Sequence, residues 1–280
     1  MTILVTGSAG MIGSHLAKGL LNNGFDVIGL DKKEIQFGGD YKHYSIDLGD
    51  KEVLSKVFRD NKIDRIIHLA ALAHATGGKK YPKKLYEYLN VECANNIFQV
   101  ANANGVPVLF ISTVDVFGFQ RGVVTADTIC HPVTIYGKTK YKAEQLLKES
   151  DCSYTIFRFS PVYTPEIKRD IQKRIYLKYP KWAYQIGKNT HYEVLSIDKA
   201  ISEMIQWCSL MPQNEIRIVK DDELLETKKY IMEEKELGNA RHIIKLPRWL
   251  VVLGYSILRI SGKNKYTFLL NKAVHPLRSK

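Results

Sequence analysis

The chain has 280 residues, 45% hydrophobic and 25% charged, a mixture that excludes a disordered or collagen-like chain and bounds the molecule at one large or two coupled domains. Forty-one Lys/Arg against 29 Asp/Glu give a formal net charge of +12. The excess is uneven: residues 1–162 carry +3, residues 163–280 carry +9, and residues 241–280 hold nine basic residues and no acid.

In chain order, short apolar runs alternate with helical patterns. Strands are predicted at 2–6, 27–30, 66–69, 108–111 and 154–158, and helices at 10–22, 51–59, 86–103 and 136–149. Strand–helix repeats with short buried strands predict an α/β, Rossmann-type, doubly wound parallel sheet. After Pro161 the pattern changes. Residues 163–190 are basic and aromatic without a clear period. Strands follow at 192–196 and 216–219, a helix capped by Asp198 at 198–210, a charged helix at 221–236 and an apolar helix at 247–260. The predicted organisation is a cofactor-binding domain over 1–162, with 191–219 returning to it. Residues 163–190 and 220–280 form a smaller C-terminal substrate-binding lobe.

Thr6-Gly-Ser-Ala-Gly-Met-Ile-Gly13 lies between the first strand and the first helix, with Gly7, Gly10 and Gly13 three apart. Glycines there permit a tight turn and close backbone approach to a pyrophosphate, which the helix N-terminus then attracts. An ordinary glycine-rich turn is the bland alternative, and the strand–helix context argues against it. Asp31 ends the second strand, 18 residues after Gly13. A carboxylate there can bind both ribose hydroxyls of an adenosine and repels a 2′-phosphate, favouring NAD, while Lys32 and Lys33 leave NADP open.

Tyr136 and Lys140 stand four apart at the start of a helix, and so share a face. A nearby ammonium favours phenolate and makes a tyrosine a usable acid/base for alcohol–ketone redox chemistry. Alone, Y-x-x-x-K is a common helix surface. Here Ile111-Ser-Thr-Val-Asp-Val-Phe-Gly118 places Ser112 and Thr113 at the carboxyl end of the fourth predicted strand, where open α/β sheets bind ligands.

Together these residues resemble the extended short-chain dehydrogenase/reductase family, the NAD-dependent epimerases, dehydratases and 4-keto-reductases of nucleotide-linked sugars. The resemblance runs over 1–210 with the motifs in family order. It implies cofactor contacts from Gly7, Gly10, Met11, Ile12 and Gly13, from Asp31, and from Asp47 and Leu48 at the adenine. Further contacts are implied from Leu69, Ala70 and Ala71 of the His68-Leu-Ala-Ala71 motif, from Asn90, Ser112, Tyr136 and Lys140, and from Pro161 and Val162 within the 158–163 segment that meets the nicotinamide amide. Asp198 resembles the aspartate of the family's returning strand–helix segment. The implied catalytic set is Thr113, Tyr136 and Lys140. Thr113 positions the sugar oxygen, Tyr136 moves its proton, and Lys140 binds the nicotinamide ribose. A homodimer is implied as well.

Family dehydratases carry Thr-Asp-Glu where this chain has Thr113-Val114-Asp115, so the first acid is missing and dehydration is disfavoured. A sugar-nucleotide 4-epimerase acting through a 4-keto intermediate is expected. The alternative is a nucleotide-linked 4-keto-sugar reductase of deoxysugar or O-antigen biosynthesis. A non-catalytic cofactor sensor would not need the Thr113/Tyr136/Lys140 set, and a steroid or flavonol substrate would call for an apolar pocket.

His68 and His74 flank a strand end and lack a third metal ligand, so packing or cofactor contact is expected rather than a metal. Asp115 reads as a solvated loop acid, with an acid/base role as the lesser alternative. Lys168, Arg169, Lys173, Arg174, Lys178, Lys181 and Lys188 interleave with Tyr176, Tyr179, Trp182 and Tyr184, and one to three of these cations are expected at the substrate diphosphate. Cys93, Cys130, Cys152 and Cys208 form no C-x-x-C pair, which fits a reducing cytoplasm. No secretory pattern precedes the first strand, and no apolar run reaches the ~18 residues of a membrane span. The basic 241–280 segment with its apolar helix reads as a lobe element with an option of peripheral contact with anionic membrane. Nucleic acid is not an expected partner.

Overall fold

Short apolar runs buried on both faces form the centre of a seven-stranded parallel sheet. A computed structural model describes residues 1–34, 41–73, 81–120, 122–172, 174–177, 180, 182–260 and 264–280. His74, Lys173, Lys178, Tyr179, Lys181 and the side chain of Arg169 therefore lie outside the described residues. The strands are β1 (Thr2–Thr6), β2 (Asp26–Asp31), β3 (Lys42–Ser45), β4 (Arg65–His68), β5 (Val108–Thr113), β6 (Tyr154–Phe159) and β7 (Glu215–Val219). Their order is β7-β6-β5-β4-β1-β2-β3, all parallel. The order reverses between β1 and β4, the place where doubly wound sheets bind ligands.

Alternate strand residues supply two cores. Leu4, Ile66, Val108, Phe110 and Ile156 pack on α2 (Lys51–Asp60), α4 (Cys93–Ala103) and α5 (Ile135–Glu149). Ile3, Val5, Ile67, Leu109 and Phe157 pack on α1 (Met11–Asn22) and α6 (Ile197–Ser209). The returning segment is fastened by Arg65, whose guanidinium donates to the carbonyls of Trp207 (3.0 Å) and Leu210 (2.6 Å) at the end of α6.

Several elements differ from expectation. The helix foreseen at 86–103 begins as α3 (Lys83–Glu87), passes through a π-helical turn at Tyr88–Glu92 and continues as α4. Ser196, not Asp198, caps α6: its hydroxyl accepts the Lys199 N–H at 3.4 Å, and Asp198 stands in the first turn. Residues 192–196 are not one strand. His191–Tyr192 pairs antiparallel with Leu225–Glu226, whereas Leu195–Ser196 pairs with Val162–Tyr163. That pairing, with Asp221 accepting from Ser196 N and Tyr163 Oη, delays the charged helix to α7 (Thr227–Glu236).

The lobe also holds features that weak patterns hid. Ala183–Ile186 pairs in parallel with Ile243–Leu246. α8 (Arg248–Ile260) is followed by α9 (Asn264–Val274), and Arg278–Ser279 pairs with Val123–Val124. Tyr176, Ile175, Tyr230 and Ile231 form a separate small core. Among the described residues no helix is long and apolar enough to cross a membrane.

Candidate active site

The glycine loop is fixed by backbone. The Gly7 N–H donates to the Leu30 carbonyl at 2.7 Å, and Gly10 starts α1 without a side-chain cap. Met11, Ile12 and Gly13 form the first turn of α1. A Cβ on Gly13 would stand 2.1 Å from the Gly7 carbonyl oxygen, so any side chain would push loop and helix apart. The result is a helix N-terminus with uncapped N–H groups at the carboxyl end of the sheet. Asp31 accepts from Ala9 N (3.1 Å) and Lys33 N (2.9 Å), which holds its carboxylate beside the loop. Lys32 is engaged elsewhere: its ammonium donates to Asp47 at 3.0 Å, and Asp47 also accepts from Tyr88 Oη at 2.9 Å. Leu48 is buried behind it. Asp31 thus borders the cradle, with Asp47 held beside it through Lys32, one of the two cations that left NADP open.

Thr6, unmarked by any motif, organises the next wall. Its hydroxyl bonds with His68 Nδ1 (2.8 Å) and accepts from Ala70 N (3.2 Å), while Leu69 N donates to the Thr6 carbonyl. His68 stacks on Phe110 at 5.7 Å, and burial, with the Lys140 charge adding to it, pushes its pKa down to about 3. It is a neutral packing residue. Among the described residues no group of three His, Cys, Asp or Glu could hold a metal. Asn90, in the π-helical turn, accepts from Leu72 N (2.6 Å) and donates to Leu72 O (3.1 Å) and Thr139 Oγ1 (3.0 Å). It ties the segment after Ala71 to the helix that carries Tyr136 and Lys140. A single-turn π-helix at such a junction is a common mark of a functional site.

Thr113 ends β5, and its Oγ1 accepts the Asp115 N–H at 3.2 Å, closing a 3₁₀ turn at Val114–Phe117. α5 begins against that turn. Thr134 caps it through the Gly137 N–H at 2.9 Å, and a Cβ on Gly137 would lie 2.7 Å from the Asp115 carbonyl oxygen. The helix start bearing half-buried Tyr136 is therefore pressed onto the turn that follows Thr113. One turn further on, Lys140 is 1% exposed with Nζ 3.9 Å above the Phe110 ring. Burial, opposed by the Glu144 carboxylate, lowers its pKa to about 7.

Beneath this edge lies a buried network. Ser112 Oγ donates to Glu144 Oε1, and Arg158 grips Glu144 through Nε (3.2 Å) and Nη2 (2.8 Å). Arg158 also donates to the Ala126 carbonyl at 2.9 Å. Ser112 and Arg158 are thus committed to support, and Ser160 and Pro161 are the members of the 158–163 segment that reach the cleft.

The cleft is lined from distant parts of the chain: Asp115, Ser160, Pro161, Arg174, Tyr192, Glu193, Asn271, Lys272 and His275. Asp115 is not a solvated acid. Lys272 of α9 donates to its Oδ1 at 2.7 Å, across 157 residues of sequence. Glu193 accepts from Lys220 Nζ, Ser279 N and Ser279 Oγ, each at 2.8 Å. Of the basic–aromatic run, Arg174 reaches the cleft and lies over the Tyr192 ring at 4.5 Å. Tyr176 turns away and donates to Glu234 at 2.8 Å, and Trp182 lies against His242. No sequence signal marked Lys272, Asn271, His275 or Glu193.

The sequence profile of the NAD dependent epimerase/dehydratase family matches residues 3–202. A UDP-glucose 4-epimerase of Lactobacillus helveticus is 33% identical over 171 residues, 57% of this chain and 51% of that protein. One of Bacillus subtilis is 34% identical over 163 residues, 53% of this chain and 48% of that protein. The chain thus spans about half the length of these relatives. Among solved structures, a UDP-glucuronic acid 4-epimerase of Bacillus cereus in complex with NAD superimposes with TM-score 0.72 at 25% identity, covering 89% of this chain and 88% of that one. A UDP-glucose 4-epimerase of Thermotoga maritima with UDP-glucose gives 0.71 at 22% identity, covering 88% and 86%, a likeness of fold alone.

Proposed function

This chain belongs to the NAD-dependent epimerase/dehydratase family, and from that premise we propose that it is a nucleotide-sugar 4-epimerase with Tyr136 as its acid/base. The observation that carries the reading is the seating of the α5 start, with Tyr136, on the turn that follows Thr113, at the same carboxyl edge of the sheet as the glycine cradle.

The cradle fits NAD. The Gly7–Gly13 loop and the α1 N-terminus would hold the pyrophosphate, Asp31 the adenosine ribose, Asp47 and Leu48 the adenine, and Leu69, Ala70, Ala71, Pro161 and Val162 the walls around the rest. Bound NAD supplies reversible hydride transfer at the sugar C4 carbon. Thr113 Oγ1 accepts the Asp115 N–H, which leaves its O–H as a donor to orient the C4 oxygen. Tyr136 takes the proton of the C4 hydroxyl and later returns it. Lys140 offers its ammonium to the nicotinamide ribose, and with its pKa near 7 its charge is finely balanced at neutral pH.

Dehydration is disfavoured twice over. The acid before Asp115 is absent, and Asp115 itself is held in an ion pair with Lys272. The 4-keto-reductase alternative is not favoured, because the relatives named above are epimerases. The cations at the cleft, Arg174 and Lys272, support a diphosphate substrate, and a UDP-hexose is the first choice by relationship. Four buried, unpaired cysteines support a reducing cytoplasm. A homodimer is part of the reading, and light scattering measures it.

Proton NMR of UDP-galactose, UDP-glucose and UDP-glucuronic acid with the protein and no added reductant tests the proposal. Inversion at C4 for one of them, lost in Tyr136→Phe, is expected. NADPH consumption with a 4-keto-sugar nucleotide, without any inversion, would replace it with the reductase reading.

A further inference from the structure

α8 is apolar on its outer face as well as its inner one. Its inner residues Val251 and Tyr255 pack with Ile186 and Val274 into a small satellite core. Its outer face should be polar in a solvent-facing helix. Instead Trp249, Leu253, Ile257 and Ile260 are 68%, 50%, 58% and 89% exposed. Their spacing of i, i+4, i+8 and i+11 puts them on one stripe. Leu250 and Val252 widen it and are also exposed. Isolated exposed apolar residues are ordinary, but a contiguous stripe marks an interaction surface.

Charge selects the partner. Exposed Arg259 lies on the same helix, and Arg241 and Lys245, both exposed, precede it. Residues 241–280 contain no acid. A second copy docked face to face through α8 would bring two such cationic segments together. Nucleic acid would match the charge but offers no place for the apolar stripe. An anionic membrane surface matches both. At 13 residues the helix is about 20 Å long, too short to span a bilayer, so the fitting geometry is one in the interfacial plane.

We propose that the outer face of α8, with Arg241, Lys245 and Arg259, docks this protein peripherally on anionic membrane. The surface lies apart from Thr113, Tyr136 and Lys140, so the proposal stands independently of the reaction.

Vesicle co-sedimentation with the full chain tests it, using phosphatidylcholine alone and phosphatidylcholine with about a third phosphatidylglycerol. The expected result is pelleting with the anionic vesicles only, a blue shift of tryptophan emission, and weakening as salt is raised. Leu253→Glu with Ile257→Glu should abolish pelleting. Lys245→Glu with Arg259→Glu should reduce the partition coefficient by about 25-fold or more, since each cation near an anionic surface is worth roughly a factor of five. Ile260→Glu, at an almost fully exposed site of the same stripe and so least able to disturb folding, should also weaken pelleting, and NAD binding should be unchanged in all three. The proposal is overturned if the unaltered protein does not pellet with anionic vesicles at physiological salt, or if the variants pellet equally. It is also overturned if Leu253→Glu dissociates a dimer that ignores vesicles, which would give the face to a second copy.

Discussion

The cofactor cradle and the substrate cleft are built by opposite means. The cradle is local and mostly backbone: a loop of seven residues, a helix N-terminus, and two carboxylates, Asp31 at the end of β2 and Asp47 just beyond β3. The cleft is assembled from side chains far apart in the chain, with Lys272 on Asp115, and Ser279 and Lys220 on Glu193. Their charge differs too, near neutral over 1–162 and strongly basic beyond. A family keeps its chemistry in short motifs and varies its substrate through long-range contacts, so damage to the two regions should look different.

The largest expected effect belongs to neither region but to the network beneath the Thr113 and Tyr136 edge. Glu144→Gln leaves Arg158 buried with a weakened partner and should cost about 3–5 kcal/mol of stability in urea unfolding. Adding Arg158→Met should restore part of it. Tyr136→Phe should lower kcat by about 10²–10⁴-fold while bound NAD and the unfolding midpoint stay as they are. If substrate affinity falls instead of kcat, Tyr136 belongs to the cleft and not to the chemistry.

Lys140 sharpens the contrast through pH. Burial holds its folded pKa near 7, below the ordinary 10.5. Its charge therefore opposes folding below about pH 7, and that cost fades as pH rises from 7 towards 10.5. Lys140→Met removes the effect. Its stability advantage over the unaltered protein at pH 6 should shrink by about 2 kcal/mol by pH 9, measured by paired unfolding curves. An advantage that does not change with pH would mean that Lys140 is not desolvated. The smallest effect is expected on the cleft side: Lys272→Met should raise KM for the sugar nucleotide by about tenfold with little change in kcat, because it removes binding common to ground and transition states.

The same division explains what the sequence made legible. Asp31 and Thr113 could be found because each stands at the carboxyl end of a strand, Gly13 because the glycine loop joins a strand to a helix, and Tyr136 because Lys140 follows one helical turn later. Asp47 was legible only through the family resemblance, and strand–helix alternation pointed to the doubly wound parallel class. β3 was missed because Lys42–Ser45 has little apolar content and earns its place only as a sheet edge. Ser112 and Arg158 stand at motif positions but turn into the buried Glu144 network, a choice made by packing. Asp115 looked like a loop acid because its partner is 157 residues away. The split of 192–196 into two pairings depends on Asp221, equally remote from a local reading.

The central claim is that hydride leaves and returns to the same sugar carbon while Tyr136 moves the proton. UDP-galactose deuterated at C4, incubated with the protein and no added cofactor, measures this most directly. Inverted UDP-glucose that retains its C4 deuterium, with no conversion by Tyr136→Phe, is the predicted result. Loss of deuterium to solvent, or inversion that persists in Tyr136→Phe, would contradict it.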